Sequence, residues 1–262
     1  ELRKLLKAYC VSVPKQWGLW AMQSAAIYGQ VDIIKVLLEM KVRVEVESSE
    51  SHASINSVTP LALACCGSDF FGFYNFPETV ELLIKGGANV NYRSNHGCSL
   101  LHYVGMYAHP TSVEVAIILI ENGLDVNNLD NFNRTPLFTA TDPVLTLDLC
   151  RYIGNLQTKL GHQTQVCKEL LLNGADVSIK SASGLTPLGN ARNQNVLTRN
   201  KDVIYLLEEV NKIHCVVDDF AKHSTLCRIE SGNFDDILMH SWKPEMRSFL
   251  TDYLKLYKQQ KQ

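Results

Sequence analysis

Thr59-Pro60-Leu61-Ala62-Leu63-Ala64, followed downstream by Leu82-Leu83-Ile84-Lys85-Gly86-Gly87-Ala88-Asn89-Val90-Asn91, decides the fold of this chain. The same phrase returns with local edits as Ser99-Leu100-Leu101-His102, as Thr135-Pro136-Leu137 with Ala140, and as Thr186-Pro187-Leu188 with Ala191. A threonine or serine hydroxyl accepts from the free N–H groups that open a helix. A proline directly after it sits at the first helical position, where its missing N–H costs nothing. The small alanine lets a neighbouring helix come close. The downstream run places Val80, Leu83 and Ile84 at helical spacing, and its glycine takes the positive φ that ends a helix. Each unit therefore predicts two short helices and a polar turn. No single unit can bury its apolar face alone, so copies must stack.

Outward from Thr59 the copies degrade. Upstream, Trp20-Ala21-Met22-Gln23 stands for the opening phrase, and Val31-Asp32-Ile33-Ile34-Lys35-Val36-Leu37-Leu38 for the second helix. Lys41 occupies the capping-glycine position there, which predicts an irregular or strained helix end. Downstream, Gly174-Ala175-Asp176-Val177 closes a fourth copy whose Leu170-Leu171-Leu172 lies one residue closer to the glycine. In a fifth copy Asn211 replaces the glycine, and asparagine tolerates the left-handed region better than most residues.

The pattern resembles the ankyrin repeat, whose signature is Thr-Pro-Leu-His-x-Ala at a period of about 33 residues. The resemblance covers about 20–211 and implies an all-α solenoid of stacked helix pairs with β-hairpin fingers, and a concave groove between fingers and inner helices. It implies protein binding rather than catalysis. His102, the histidine of the phrase, is then a residue that ties the turn together. The expected organisation is an outer helix of a preceding repeat, or an N-terminal cap, over 1–13; about five repeats over 14–213; and a degenerate sixth repeat with a capping helix over 214–262. Met246, Phe249, Leu250, Tyr253 and Leu254 form the apolar face of that last helix, after Pro244. A first residue other than methionine suggests a piece of a longer protein.

Composition excludes several classes. The 262 residues carry 25 Lys+Arg against 27 Asp+Glu, a net charge of -2, so nothing draws the whole chain to nucleic acid or acidic membranes. No apolar run is long enough for a spanning helix, so no membrane insertion is expected. The eight cysteines include no C-x-x-C pair, and Cys65 and Cys167 fall at small core positions, so they read as reduced thiols. No catalytic constellation, cofactor-binding residue or metal set is expected. His223 and Cys227 are four apart with no third group to orient them.

The departures from the period carry the individuality of the chain. Three insertions interrupt it, at 42–58, 69–76 and 142–161. The first holds Glu45, Glu47 and Glu50 and reads as a solvated finger or a contact loop for a basic partner. The second is Asp69-Phe70-Phe71-Gly72-Phe73-Tyr74-Asn75-Phe76, five aromatics in one loop. It either packs against its neighbours or offers its rings to a partner. The third opens with Asp142-Pro143, a helix start, and predicts an extended first helix or an extra helix on the same edge as the aromatic loop.

The expected partner site is the groove near Arg93, Asn95, His96, Tyr103, Asp130, Phe132, Arg134 and Phe138, with the loop holding Phe70, Phe71, Phe73 and Tyr74 as a second candidate. The reading that follows is a non-enzymatic interaction module. It would be monomeric as a fragment, the targeting part of a larger protein, cytoplasmic, in the style of bacterial or viral effectors. Two alternatives stand beside it. Leu226-Cys227-Arg228 with Pro244 and Leu250-Thr251-Asp252-Tyr253-Leu254 faintly resembles a SOCS box, which would make the chain a substrate-recruiting subunit of a cullin ubiquitin ligase. The other is the regulatory half of an enzyme whose catalytic domain lies elsewhere.

Overall fold

A computed structural model describes residues 15–45, 58–67, 76–141, 156–194, 200–222 and 239–261. The helices are α1 (Lys15–Ile27), α2 (Val31–Glu39), α3 (Pro60–Cys66), α4 (Phe76–Lys85), α5 (Leu100–Met106), α6 (Ser112–Glu121), α7 (Pro136–Ala140), α8 (Leu156–Leu172), α9 (Pro187–Asn193), α10 (Lys201–Lys222) and α11 (Pro244–Gln260). They form two rows. α1, α3, α5, α7 and α9 stack in sequence on one side, and α2, α4, α6, α8 and α10 on the other. This is the all-α repeat solenoid that the repeated phrase predicts.

The start of each inner helix is built as the caps dictate. Thr59, Thr135 and Thr186 hydroxyls accept from the N–H groups of Ala62, Phe138 and Gly189, each with proline at the first turn. The ends of the outer helices share one motif. Gly87, Gly123 and Gly174 take φ of 92°, 89° and 86°. The N–H groups of each glycine and of the next residue fold back to carbonyls three and five residues upstream. Lys41 adopts the same conformation at φ 55° and makes the same bonds, to Leu38 and, through Val42, to Leu37. The helix end is therefore regular in geometry, and its strain is the left-handed lysine.

Four residues before these caps stand Leu37, Leu83, Leu119 and Leu170, all fully buried. The leucine triplet of the fourth copy, one residue closer to its glycine, leaves the core register intact. Tight approach between inner helices needs Gly105. A Cβ there would come within 2.9 Å of the Pro136 carbonyl and 3.2 Å of the Ala140 methyl.

Two expectations need correction. Among the described residues the fingers contain no strand ladder; they are tight turn loops, each closed by two backbone bonds. And α10 does not stop at Asn211 but runs to Lys222. The apolar stripe Leu206, Val210, Ile213, Val217 continues past the expected stop and stays buried. It is met by α11, which buries Met246, Leu250, Tyr253 and Leu254 against α8 and α10. Trp242, just before α11, is buried and donates its indole N–H to Glu209 of α10 at 3.1 Å. The helix expected from Asp142-Pro143 falls outside the described residues; α8 begins at Leu156 as the outer helix of its pair, and its buried Thr164 and Leu160 carbonyl are tied to Asn200, which caps α10. Residues 1–14, 46–57, 68–75, 142–155, 195–199, 223–238 and 262 lie outside the described residues. So do the aromatic loop apart from Phe76, most of the first and third insertions, and the SOCS-box-like Leu226-Cys227-Arg228.

Candidate interaction surface

The fingers at 94–98, 130–134 and 181–185 share one construction. The first residue donates its N–H to the carbonyl of the fifth: Ser94 to Cys98 at 3.0 Å, Asp130 to Arg134 at 3.0 Å, Ser181 to Leu185 at 2.9 Å. The fourth residue takes positive φ, 75° at Gly97, 54° at Asn133 and 78° at Gly184. Neighbouring fingers join through the backbone in constant register, Asn131 N–H to the His96 carbonyl at 2.9 Å and Ala182 N–H to the Phe132 carbonyl at 2.8 Å. Gly97 is required on two counts, its φ and the 2.9 Å at which an added Cβ would meet the Asn131 nitrogen.

The middle finger has an internal clasp. The Asp130 carboxylate is fully buried and accepts from the Phe132 and Arg134 N–H groups at 2.8 Å each and from Arg134 Nε at 2.7 Å. Asp130 thus organises the finger and is not presented to a partner. Phe138 is also buried. It takes the histidine position of the opening phrase and is covered rather than offered to a partner. Asn95 is exposed, and its carbonyl accepts from the Asn131 side chain at 3.0 Å.

Two rows of side chains face outward. The residue before each finger gives Arg93, Leu129 and Lys180; the third residue gives His96, Phe132 and Ser183, and all are exposed. Leu129 is 42% and Phe132 50% exposed, and the described residues hold just one other large apolar side chain so open, Tyr28 at 36%. The His96 and Phe132 rings lie 6.5 Å apart, and the Arg134 guanidinium sits 5.0 Å from the Phe132 ring centre. Arg93 reaches across to the segment before the middle finger, donating to the Leu129 carbonyl at 2.7 Å and to Asn128 Oδ1, and also donates to the Gly97 carbonyl of its own finger at 3.1 Å. No described carboxylate pairs with it. Behind the fingers, Tyr103 of α5 and Tyr107, the residue that ends it, stack at 6.4 Å, both half-buried, and burial raises the Tyr103 phenol above its ordinary range.

The structure so brings Arg93, His96, Phe132 and Arg134 into one crest with Tyr103 behind it. Leu129, Lys180 and Tyr107 were absent from the expected site. The first two could have been found by aligning them with Arg93, since they occupy its finger position. Phe70, Phe71, Phe73 and Tyr74 fall outside the described residues.

His102 shows how the inner helices hold the fingers. Its Nδ1 accepts from the Ser99 N–H at 3.1 Å, which leaves Nε2–H to donate to the Arg134 carbonyl at 2.8 Å. Burial holds its pKa below the ordinary histidine value. In the first copy Gln23 does the same work, donating to the Val58 carbonyl at 2.7 Å.

The cysteines at 65 and 167 are fully buried, and burial pushes the Cys167 thiol up to about 12, so it is inert at neutral pH. Among the described residues no three His, Cys, Asp or Glu side chains are grouped to hold a metal, and no helix is long and apolar enough to cross a membrane. An open cavity of about 580 Å³ lies where α10 and α11 meet the loop at 174–178, lined by Asp176, His214, Asp218 and Tyr257 among others. Its polar groups are mostly engaged, His214 with Tyr253 at 2.7 Å and Asp218 with Tyr257 and Lys261.

Residues 56–95 match the ankyrin repeat family model. Over 75 residues, 29% of the chain, the sequence is 36% identical to the ankyrin repeat protein FPV230 of fowlpox virus (strain NVSL). The match spans 38% of that relative's length. With the two-row stack and the finger register, these matches support the reading of the fold as an ankyrin-repeat solenoid.

Proposed function

We propose that this chain is a non-enzymatic protein–protein interaction module whose partner lies along the fingers and Tyr103 and Tyr107. Ankyrin arrays serve as binding scaffolds, and the likeness to a poxvirus protein supports a role as the targeting part of an effector in a host cell's cytoplasm. The observation that carries the reading is the exposure of Leu129 and Phe132 beside and on a finger whose backbone N–H groups, from Asp130 to Arg134, are all bonded. Large side chains held open on a rigid frame bind without ordering cost, and aromatics are frequent hot spots.

The experiment is affinity purification from host cells, followed by hydrogen exchange on the chain with the recovered protein. Protection over 92–107 and 129–138 is expected. Protection confined to the outer helices α2, α4 and α6 refutes the site, and protection confined to 68–76 moves it to the aromatic loop. The ligase-adaptor alternative stands behind this reading because Leu250, Tyr253 and Leu254 are already buried on α8 and α10. Elongins B and C co-purifying in a manner abolished by Leu226→Ala would reverse the order.

A further inference from the structure

We infer that the finger crest recognises an extended acidic segment of a partner protein with an apolar side chain at its centre. This rests on the proposed binding surface and names what that surface takes. The constant register puts Arg93, Leu129 and Lys180 in one row across consecutive fingers, a cation on each side of an exposed leucine. The parallel row puts Phe132 between His96 and Ser183, under the Arg134 guanidinium. The crest is positive although the chain is negative overall. The one carboxylate within the fingers, Asp130, is buried and consumed by the Arg134 Nε–H and two backbone N–H groups. The loop carboxylates Asp125 and Asp176 accept from their own backbones, at Asn127 and Ser178.

Geometry sets the spacing of the ligand. Packed helices lie about 8–10 Å apart, so the first and third fingers are about 16–20 Å apart. An extended chain advances about 3.3 Å per residue. A segment crossing the crest therefore brings acidic residues about six apart to Arg93 and Lys180, and the residue midway to Leu129 and Phe132. An acidic–apolar–acidic pattern at i, i+3, i+6 follows. The charges add to affinity and are screened by salt; the apolar contact is not.

The test selects a random peptide library displayed on phage against the whole immobilised chain, then measures the winning synthetic peptide by fluorescence anisotropy. The i, i+3, i+6 pattern should be enriched. Lys180→Glu should weaken the peptide about threefold, an effect reduced at high salt. Phe132→Ser should weaken it about tenfold at any salt. Both side chains are exposed, so the helical circular dichroism should be unchanged. Enriched peptides of another pattern that still protect 92–107 and 129–138 from hydrogen exchange would sink this inference and leave the surface standing. Peptides that protect other segments would sink both. Failure to enrich any peptide, or tighter binding of oligothymidylate than of the acidic peptide, also overturns the inference.

Discussion

Lys41→Gly should stabilise this protein, and the size of the gain follows from the repeat comparison. Lys41 holds φ 55° at a position where Gly87, Gly123 and Gly174 take 92°, 89° and 86°. The lysine is exposed, and its backbone makes the same two capping bonds as the glycines, so nothing but conformation distinguishes it. An L-residue in the left-handed region costs about 1–2 kcal/mol. Glycine recovers that but loses about 0.5–1 kcal/mol to the greater freedom of the unfolded chain. The net gain is about 0.5–1 kcal/mol, or a rise in melting temperature of about 1–4 °C for a chain of this size. Urea unfolding followed by circular dichroism reads it directly. Lys41→Ala is the control, because alanine removes the charge and keeps the strain; it should gain nothing. Gly87→Lys should lose about as much as Lys41→Gly gains. If Lys41→Ala matches Lys41→Gly, the charge was the cause and the conformational reasoning fails.

Two glycines within helices should respond in opposite directions. Gly105→Ala forces α5 from α7 and should cost about 1–3 kcal/mol, whereas Gly161→Ala meets nothing within 4 Å and should gain up to about 1 kcal/mol; equal urea midpoints would contradict the close approach. His102 has a pKa lowered by burial, with the Arg134 carbonyl and Asp130 opposing and the Arg134 and Arg93 charges assisting, so the folded state prefers the neutral ring. Its stabilisation is complete above the unfolded value of about 6.5 and is lost as pH falls through the lower folded value. His102→Gln, which imitates Gln23, should flatten the fall in urea midpoint between about pH 7.5 and pH 5. A slope unchanged from the native chain would refute that role.

Legibility in the sequence followed the range of the interactions. Thr59, Thr135 and Thr186 could be read because a cap involves only the next three residues. Leu37, Leu83, Leu119 and Leu170 could be read because the capping residue fixes their register. Asn211 misled because its neighbours decide: Ile213 and Val217 continue the helix only once α11 arrives to cover them. Asp130 looked like a groove charge because nothing local shows that the finger folds onto its carboxylate. Phe138 reads as a groove residue because it lies just after a finger, and the sequence alone does not show that this position is covered.

The division of labour inside the fingers explains why this surface can differ from repeat to repeat while the stack does not. Closure and register between fingers use the Ser94, Asp130 and Ser181 N–H groups and the His96 and Phe132 carbonyls, and the side chains that assist, Asp130 and His102, lie at the first finger position and on the inner helix. The side chains before and at the third position of each finger bear little of that structure, apart from the bridge Arg93 makes to Leu129 and Asn128. Arg93, Leu129 and Lys180, or His96, Phe132 and Ser183, can therefore be unlike one another at no cost to the fold. A row of unlike residues on a repeating frame is what selective recognition requires, since each finger then contacts a different part of one ligand. Exchanging the residues of two fingers, as in Leu129→Lys with Lys180→Leu, would preserve the fold and the composition while changing the order of charge and apolar contact.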